Sequence, residues 1–380
     1  MLLILAVVAI GAVQNDGIIG HAKNAREEYG KAQVNENTTL ENYLEKLEEN
    51  LPGDNGEENN SGDVNSIPDT TMTEAQEDTM LEKTVNSNVV DKYNNKITVP
   101  AGFKILVDNT TGYTTEDIDV TKGIVITDGT NEFVWVPVGN IYQSETEYKT
   151  ITLGRYSSFT ANDAGEYTPA QTAENYATAT TIDTYFTEDT ADNHNSDYGN
   201  AIAKDIGAFV NSATTKGGYY LGRYEAGNLN DTLVCKANQI VYSAVTQPEA
   251  SNLSQNMYKD ATTFTSDLVN SYAWDTAIVF IQAFSTETDA SNYSNLNKCT
   301  SFVNTGVHPD KYCNIYDMSG NACEWSTETR FAVPCVMRGG KWYGSSTNGY
   351  SMEYTSSRVF DHAYSRVAGS SFRPLLYVAM

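Results

Sequence analysis

A chain of 380 residues is long enough for two domains, or for one large domain with a tail, and 40% apolar content with 11% aromatic residues supports a buried core. With 49 Asp and Glu against 24 Lys and Arg, the net charge is −25 and the pI is near 4.4. Binding to a phosphate backbone or an anionic lipid surface requires a basic stripe that this sequence lacks, so nucleic acid and charged membrane are excluded as partners.

Met1 to Val13 (MLLILAVVAIGAV) is the one continuous apolar run. It is shorter than the roughly 20 residues needed to cross a bilayer core, and no basic residue precedes it as in a secretory signal. A polar helical stretch, His21 to Gln33, follows. An apolar helix running into an amphipathic one resembles the N-terminal segment of bacterial type IV prepilin-like proteins. That resemblance implies a helix over residues 1–37, pilus or membrane association through it, and a place at the cell surface or outside the cell. The family's leader, cleavage site and early Glu are absent from the sequence, which a start codon assigned too late would explain. A truncated signal or a short buried helix is the open alternative. His21 reads as a solvated helix residue.

Thr38 to Lys83 holds 13 Asp and Glu against two Lys, which is −11 of the total charge. Such a segment buries too little apolar surface to offset its ordering entropy, and self-repulsion extends it. Residues 38–95 are therefore expected to form a largely disordered acidic linker, although Leu40, Tyr43, Leu44 and Leu47 have helical spacing that would carry the first helix to about Asn50.

The globular part is expected over residues 96–380, of mixed α+β type. Ile97–Ile105, Gly123–Thr127 and Glu132–Val138 read as strands, with Asp128-Gly129 turning the second into the third and Pro137 ending that strand or marking an edge. Asn140 to Asn200 is polar and weakly patterned, and reads as surface loops. Asp189, Asp192, His194, Asn195 and Asp197 cluster there without the Gly and Glu spacing of an EF-hand. Ile202, Ile206, Phe209 and Val210 share a helical face, with Asn200 as the expected cap. Gly217-Gly218 then breaks the helix before an aromatic strand, Tyr219–Glu225. A second helix is expected at Trp274–Phe284 with Ser271 as its cap; Trp274 and Asp275 read as core and cap-region residues. Five cysteines, Cys235, Cys299, Cys313, Cys323 and Cys335, contain no C-x-x-C, which argues against structural zinc and allows up to two disulfides in an exported protein. No G-x-S-x-G, H-E-x-x-H, P-loop or Rossmann fingerprint occurs, and His194, His308 and His362 sit in unrelated contexts.

The most informative stretch is the last. Tyr316-Asp317-Met318-Ser319-Gly320-Asn321-Ala322-Cys323-Glu324-Trp325, then Arg338-Gly339-Gly340-Lys341-Trp342, then Phe372-Arg373 resemble three ordered signatures of the formylglycine-generating sulfatase-modifying enzymes, which have a C-type-lectin-like fold. Those enzymes carry a copper-binding cysteine pair after the R-G-G-x-W motif. Here Tyr343 to Ser351 contains no Cys, so soft thiolate ligands for Cu(I) are missing and the generating activity is not expected. The resemblance also implies that the Gly320-Asn321 loop and Glu324 supply oxygen ligands to a structural calcium. On the residues alone, a tight turn with Glu324 paired to Arg338 or Arg373 is the preferred account of them, and no cofactor is required.

Tyr343 to Ser370 holds four Tyr, seven Ser, three Gly and no Lys. Tyr supplies rigid amphipathic contact area while Ser, Gly and Asn supply adaptable hydrogen bonds, as in antibody paratopes. A variable-looking segment between R-G-G-x-W and F-R anchors resembles the variable proteins of diversity-generating retroelements, which share the C-type-lectin-like fold. The resemblance implies hypervariable positions of the types seen at Asn348, Tyr350, Tyr354, Asp361, His362 and Tyr364, within residues 339–373. The expected protein is a surface-displayed binder of a protein or glycan ligand. Trp342, Tyr343, Asn348, Tyr350, Tyr354, Phe360, Asp361, His362 and Tyr364 would make the face, and Trp325, Arg338, Gly339, Gly340, Phe372 and Arg373 the scaffold beneath. A sulfatase-modifying oxidase and a minor pilin with a structural lectin-like domain are the competing readings.

Overall fold

The computed structural model describes residues 69–70, 78–108, 111, 118–176, 182, 185–285, 302–308, 310–331, 333–342, 346–347, 350–351 and 354–380, with backbone alone at 69–70, 78–79, 346–347 and 350–351. The pilin-like segment, most of the acidic linker, Tyr343, Asn348 and Cys299 lie outside the described residues. In chain order the elements that position the site are β1 (Lys104–Ile105), β2 (Val125–Thr127), β3 (Glu132–Pro137), β4 (Phe186–Glu188), α1 (Ile206–Lys216), β5 (Gly218–Gly222), α2 (Gln247–Asn256), β6 (Phe264–Leu268), α3 (Ser271–Phe284), β7 (Cys323–Trp325), β8 (Glu328–Arg330), β9 (Cys335–Arg338), β10 (Arg358–Asp361), β11 (Ser370–Phe372) and β12 (Pro374–Val378).

A six-stranded antiparallel sheet has the order β6-β12-β5-β3-β2-β1. Its four inner strands read PLLYV, GYYLG, EFVWVP and VIT, and all their residues are buried except Glu132. Continuous apolar runs of this kind belong to strands covered on both faces rather than half-solvated ones. One face takes the helices: Phe209 of α1 meets Tyr219 and Tyr377 edge-on at 5.3 and 5.7 Å, and the Tyr219 hydroxyl donates to the Ala273 carbonyl of α3 at 2.5 Å. The other face takes the hairpin Ser87–Val90/Lys96–Val99, where the Tyr220 hydroxyl donates to the Thr98 carbonyl at 3.0 Å. Met80 and Val89 are buried in the same core. The packed region therefore includes Met80 and does not start at Lys96: every residue of Ser87–Val90 pairs with Lys96–Val99, and alternate ones are buried. Asp128 Oδ1 accepts from the Thr130 and Asn131 amides and closes the β2–β3 turn, and Pro137 ends β3 in the sheet interior, not at its edge.

The helix boundaries differ from those expected. α1 starts at Ile206 because Asp205, not Asn200, accepts from the Ala208 amide at 2.8 Å, while the Lys204 amide is held by Asp267 at 2.6 Å. Gly217, at φ 78°, ends it where a side chain would be strained. α3 is capped by Asn270; Ser271 lies inside the first turn and donates to Glu188 at 2.6 Å instead. Helix α2 was missed, although Thr246 and Glu249 form a reciprocal capping box with Pro248 in the first turn. α3 is buried along 13 of its 14 residues, so it is a central element rather than an amphipathic surface helix. Among the described residues no helix is long and apolar enough to cross a membrane.

The second sheet, ordered β10-β9-β7-β11, collects all three C-terminal motifs. β11 runs parallel to β7, while β7–β9 and β9–β10 are antiparallel. A short antiparallel ladder, β4–β8, lies beside it.

Candidate binding face

The residues expected as scaffold are buried. Trp325, Arg338, Phe372 and Arg373 are fully buried, and Gly339 and Gly340 are buried with them. The Trp325 indole donates to the Val245 carbonyl at 2.9 Å, and Trp274 of α3 donates to the Thr355 carbonyl at 2.9 Å. Gly339 sits at φ 76°, and a Cβ there would lie 2.5 Å from the Met318 carbonyl, so the second motif requires glycine for both conformation and space.

Beneath the face lies an arginine-rich network. Three guanidiniums share two carboxylates: Arg155 with Glu328 (2.9 Å), Arg338 with Asp275 (2.5 Å) and Glu328 (3.0 Å), and Arg358 with Asp275 (2.7 Å) and Glu328 (3.0 Å). Burial alone would raise the Glu328 carboxyl, but the Arg358, Arg338 and Arg155 guanidiniums overcome it and hold its pKa down at about 2. Arg338 also donates to the Ser357 carbonyl at 3.3 Å, so the network grips the segment's own backbone. Arg358 lies within Tyr343–Ser370, yet its side chain is 11% exposed and turned into the network.

A second network is acid-rich. Arg373 makes a two-pronged pair with Glu324 (2.9 and 2.5 Å) and donates to the Gly222 and Tyr316 carbonyls. Asn321 donates to Glu225 and to the Val303 carbonyl, and its oxygen accepts from the Val303 amide. The Glu324 pairing with Arg373 is thus one of the two readings of that stretch, with both Glu324 oxygens engaged by the guanidinium; among the described residues no group of three or more His, Cys, Asp or Glu is arranged to hold a metal. Burial, then Asp317 and Glu324, push the Glu225 carboxyl well up; burial and Asp310 do the same to Asp317.

Above these networks the expected face residues divide. Trp342, Tyr354, Phe360 and Asp361 are half-buried, while His362 and Tyr364 are exposed. Tyr350 lies on a two-residue strand paired with Ser346–Thr347. The His362 and Tyr364 rings stack at 5.2 Å with a 5° interplanar angle, and Asp361 Oδ1 shapes their loop by accepting from the His362 amide and the Ser365 hydroxyl. Phe360 packs on Phe186, and the Arg330 guanidinium lies 3.8 Å from its ring centre and 5.1 Å from that of Tyr185.

No family model matches the chain, and no curated protein matches it. Among solved structures, Treponema denticola variable protein 1 matches with a TM-score of 0.25 and 14% identity, over 66% of this chain and 97% of that one. This likeness is weak and carries no argument here.

The four described cysteines are free thiols, each beside a partner other than cysteine: Cys235 at the Tyr224 carbonyl, Cys313 at the Thr121 carbonyl, Cys323 at Met337 and Gly369, and Cys335 at Gln247. Burial pushes every one up to about 12, away from the thiolate form that binds copper or attacks a substrate. The disulfides allowed by the count are absent among them. Sequence reasoning missed Tyr185, Tyr198, Arg330 and Phe331, which flank the face; they follow no motif, and Tyr185, Arg330 and Phe331 are brought together by the β4–β8 pairing, whose Thr187 and Thr329 are 142 residues apart.

Proposed function

We propose that this chain is a ligand-binding protein with a C-type-lectin-like, sulfatase-modifying-factor-like domain, displayed at a bacterial cell surface through its N-terminal helix. Its C-terminal segment is the recognition face and a target of a diversity-generating retroelement. The observation that carries the reading is a division of labour within one segment. The anchors, Arg338, Phe372 and Arg373, are fully buried in ion pairs and core, while His362 and Tyr364 project between them without supporting that core. Side chains so placed can change without loss of the fold, and aromatic ones supply most of the energy at protein interfaces. The raised cysteine thiols and the missing cysteine pair weigh against an oxidase.

The genomic DNA around the gene tests this. A near-copy of the Gly339–Arg373 coding segment, differing at adenines and lying beside a reverse transcriptase gene, is the expected finding. Absence of both overturns the diversification and leaves a binder of fixed specificity.

A further inference from the structure

A cavity of about 550 Å³ opens beside the face, at the β4–β8 ladder, within the ~300–1,000 Å³ range of small-ligand sites. Its lining comes from residues outside Tyr343–Ser370, so it stands whether or not that segment is diversified. Three rings border it, Tyr185, Tyr198 and Phe331, and they are 46, 37 and 71% exposed. Isolated exposed apolar side chains are ordinary; three around one concavity are a binding signature. The polar groups of the cavity are different in kind. Thr187 and Thr329 face each other across the ladder with hydroxyls 2.9 Å apart, and both contact Asp189 Oδ1 at 3.2 Å. Asp189 Oδ2 meets His194 at 3.4 Å, a long contact that leaves acceptor capacity for a further donor.

We infer that this cavity binds a neutral pyranose sugar, in a site that requires no metal ion. An aliphatic or aromatic side chain would satisfy the rings but strip water from Asp189 without giving it a donor. An anion meets Asp189, and a cation meets Arg330, whose guanidinium is held over Phe360 and Tyr185. A pyranose has the matching two-sided character. Its C–H face lies on an aromatic ring, and its hydroxyls donate to a carboxylate and exchange hydrogen bonds with threonine.

Saturation-transfer NMR on the full chain, treated with EDTA and mixed in turn with the methyl glycosides of glucose, galactose, mannose and N-acetylglucosamine, tests the inference. At least one glycoside is expected to receive saturation, strongest at its ring C–H protons, with millimolar affinity. Phe331→Ala and Tyr198→Ala should each weaken it about tenfold, roughly 1.4 kcal/mol, while Tyr148→Ala, at an exposed position outside both the cavity and the face, leaves it unchanged. Both ring substitutions are at exposed positions, and unchanged melting temperatures would verify that the variants fold. No transfer to any of the four glycosides overturns the proposal, as does transfer indifferent to Phe331→Ala and Tyr198→Ala. Neither result bears on the adenine-marked repeat, so the two readings fail separately.

Discussion

Two buried charge networks hold the C-terminal motifs, and they are balanced in opposite directions. Around Asp275 and Glu328, three arginines outnumber two carboxylates; around Arg373, a single guanidinium serves Glu324 with Glu225 and Asp317 close by. The excess is tolerable for different reasons. Surplus carboxylates can take up protons and become neutral hydrogen-bonding acids, which is the direction in which Glu225 and Asp317 are pushed. An arginine cannot lose its proton in a protein, so its network depends on every anion it has.

The sharpest way to break this contrast is Glu328→Gln. It leaves three guanidiniums facing one carboxylate, and a loss of about 3–5 kcal/mol in urea unfolding is expected, with no recovery at any pH. Arg373→Gln comes next, with a loss of about 3 kcal/mol at neutral pH. Here acid should restore part of the stability, because the orphaned carboxylates bind protons more tightly folded than unfolded, and stability then rises as pH falls toward their ordinary range. If the two variants respond alike to pH, the proposed asymmetry is wrong.

Glu188 gives a smaller, directional test. Burial pushes its pKa from 4.5 up to about 7, against hydrogen bonds from Ser271 and Thr327 and the charge of Arg155. The folded state therefore holds the extra proton between those values, and its contribution to stability is complete below 4.5 and is lost as pH rises through 7. Glu188→Gln should flatten that decline in melting temperature by a few degrees. Least of all, Tyr364→Ala should move stability by no more than about 0.5 kcal/mol, since the residue is 78% exposed. A larger effect would mean that the face supports the fold after all.

What the sequence disclosed follows the range of the interactions. Arg338-Gly339-Gly340 and Phe372-Arg373 were expected as scaffold from the motifs they resemble, and Glu324 was offered Arg373 as a partner, which it has. The long-range members of that network were not visible: Asp275, a partner of Arg338, lies on α3, 63 residues away, and Arg155 reaches Glu328 across 173. Nothing local distinguishes Arg358, turned inward, from Arg366, which reaches Glu249 at the surface. Helix α2 was legible through Thr246 and Glu249, but its polar composition hid it from a search for apolar periodicity.

The position of β12 has a consequence for how the protein is made. Pro374–Val378 lies between β5 and β6, so the large sheet exists only as two separate pieces until this strand is supplied. A ribosome adding roughly 5–20 residues per second delivers all of Tyr343–Ser370 before that strand emerges. During this interval the edges of Gly218–Gly222 and Phe264–Leu268 stand open to other strands. Each newly synthesised chain is therefore exposed to misassembly until β12 is in place.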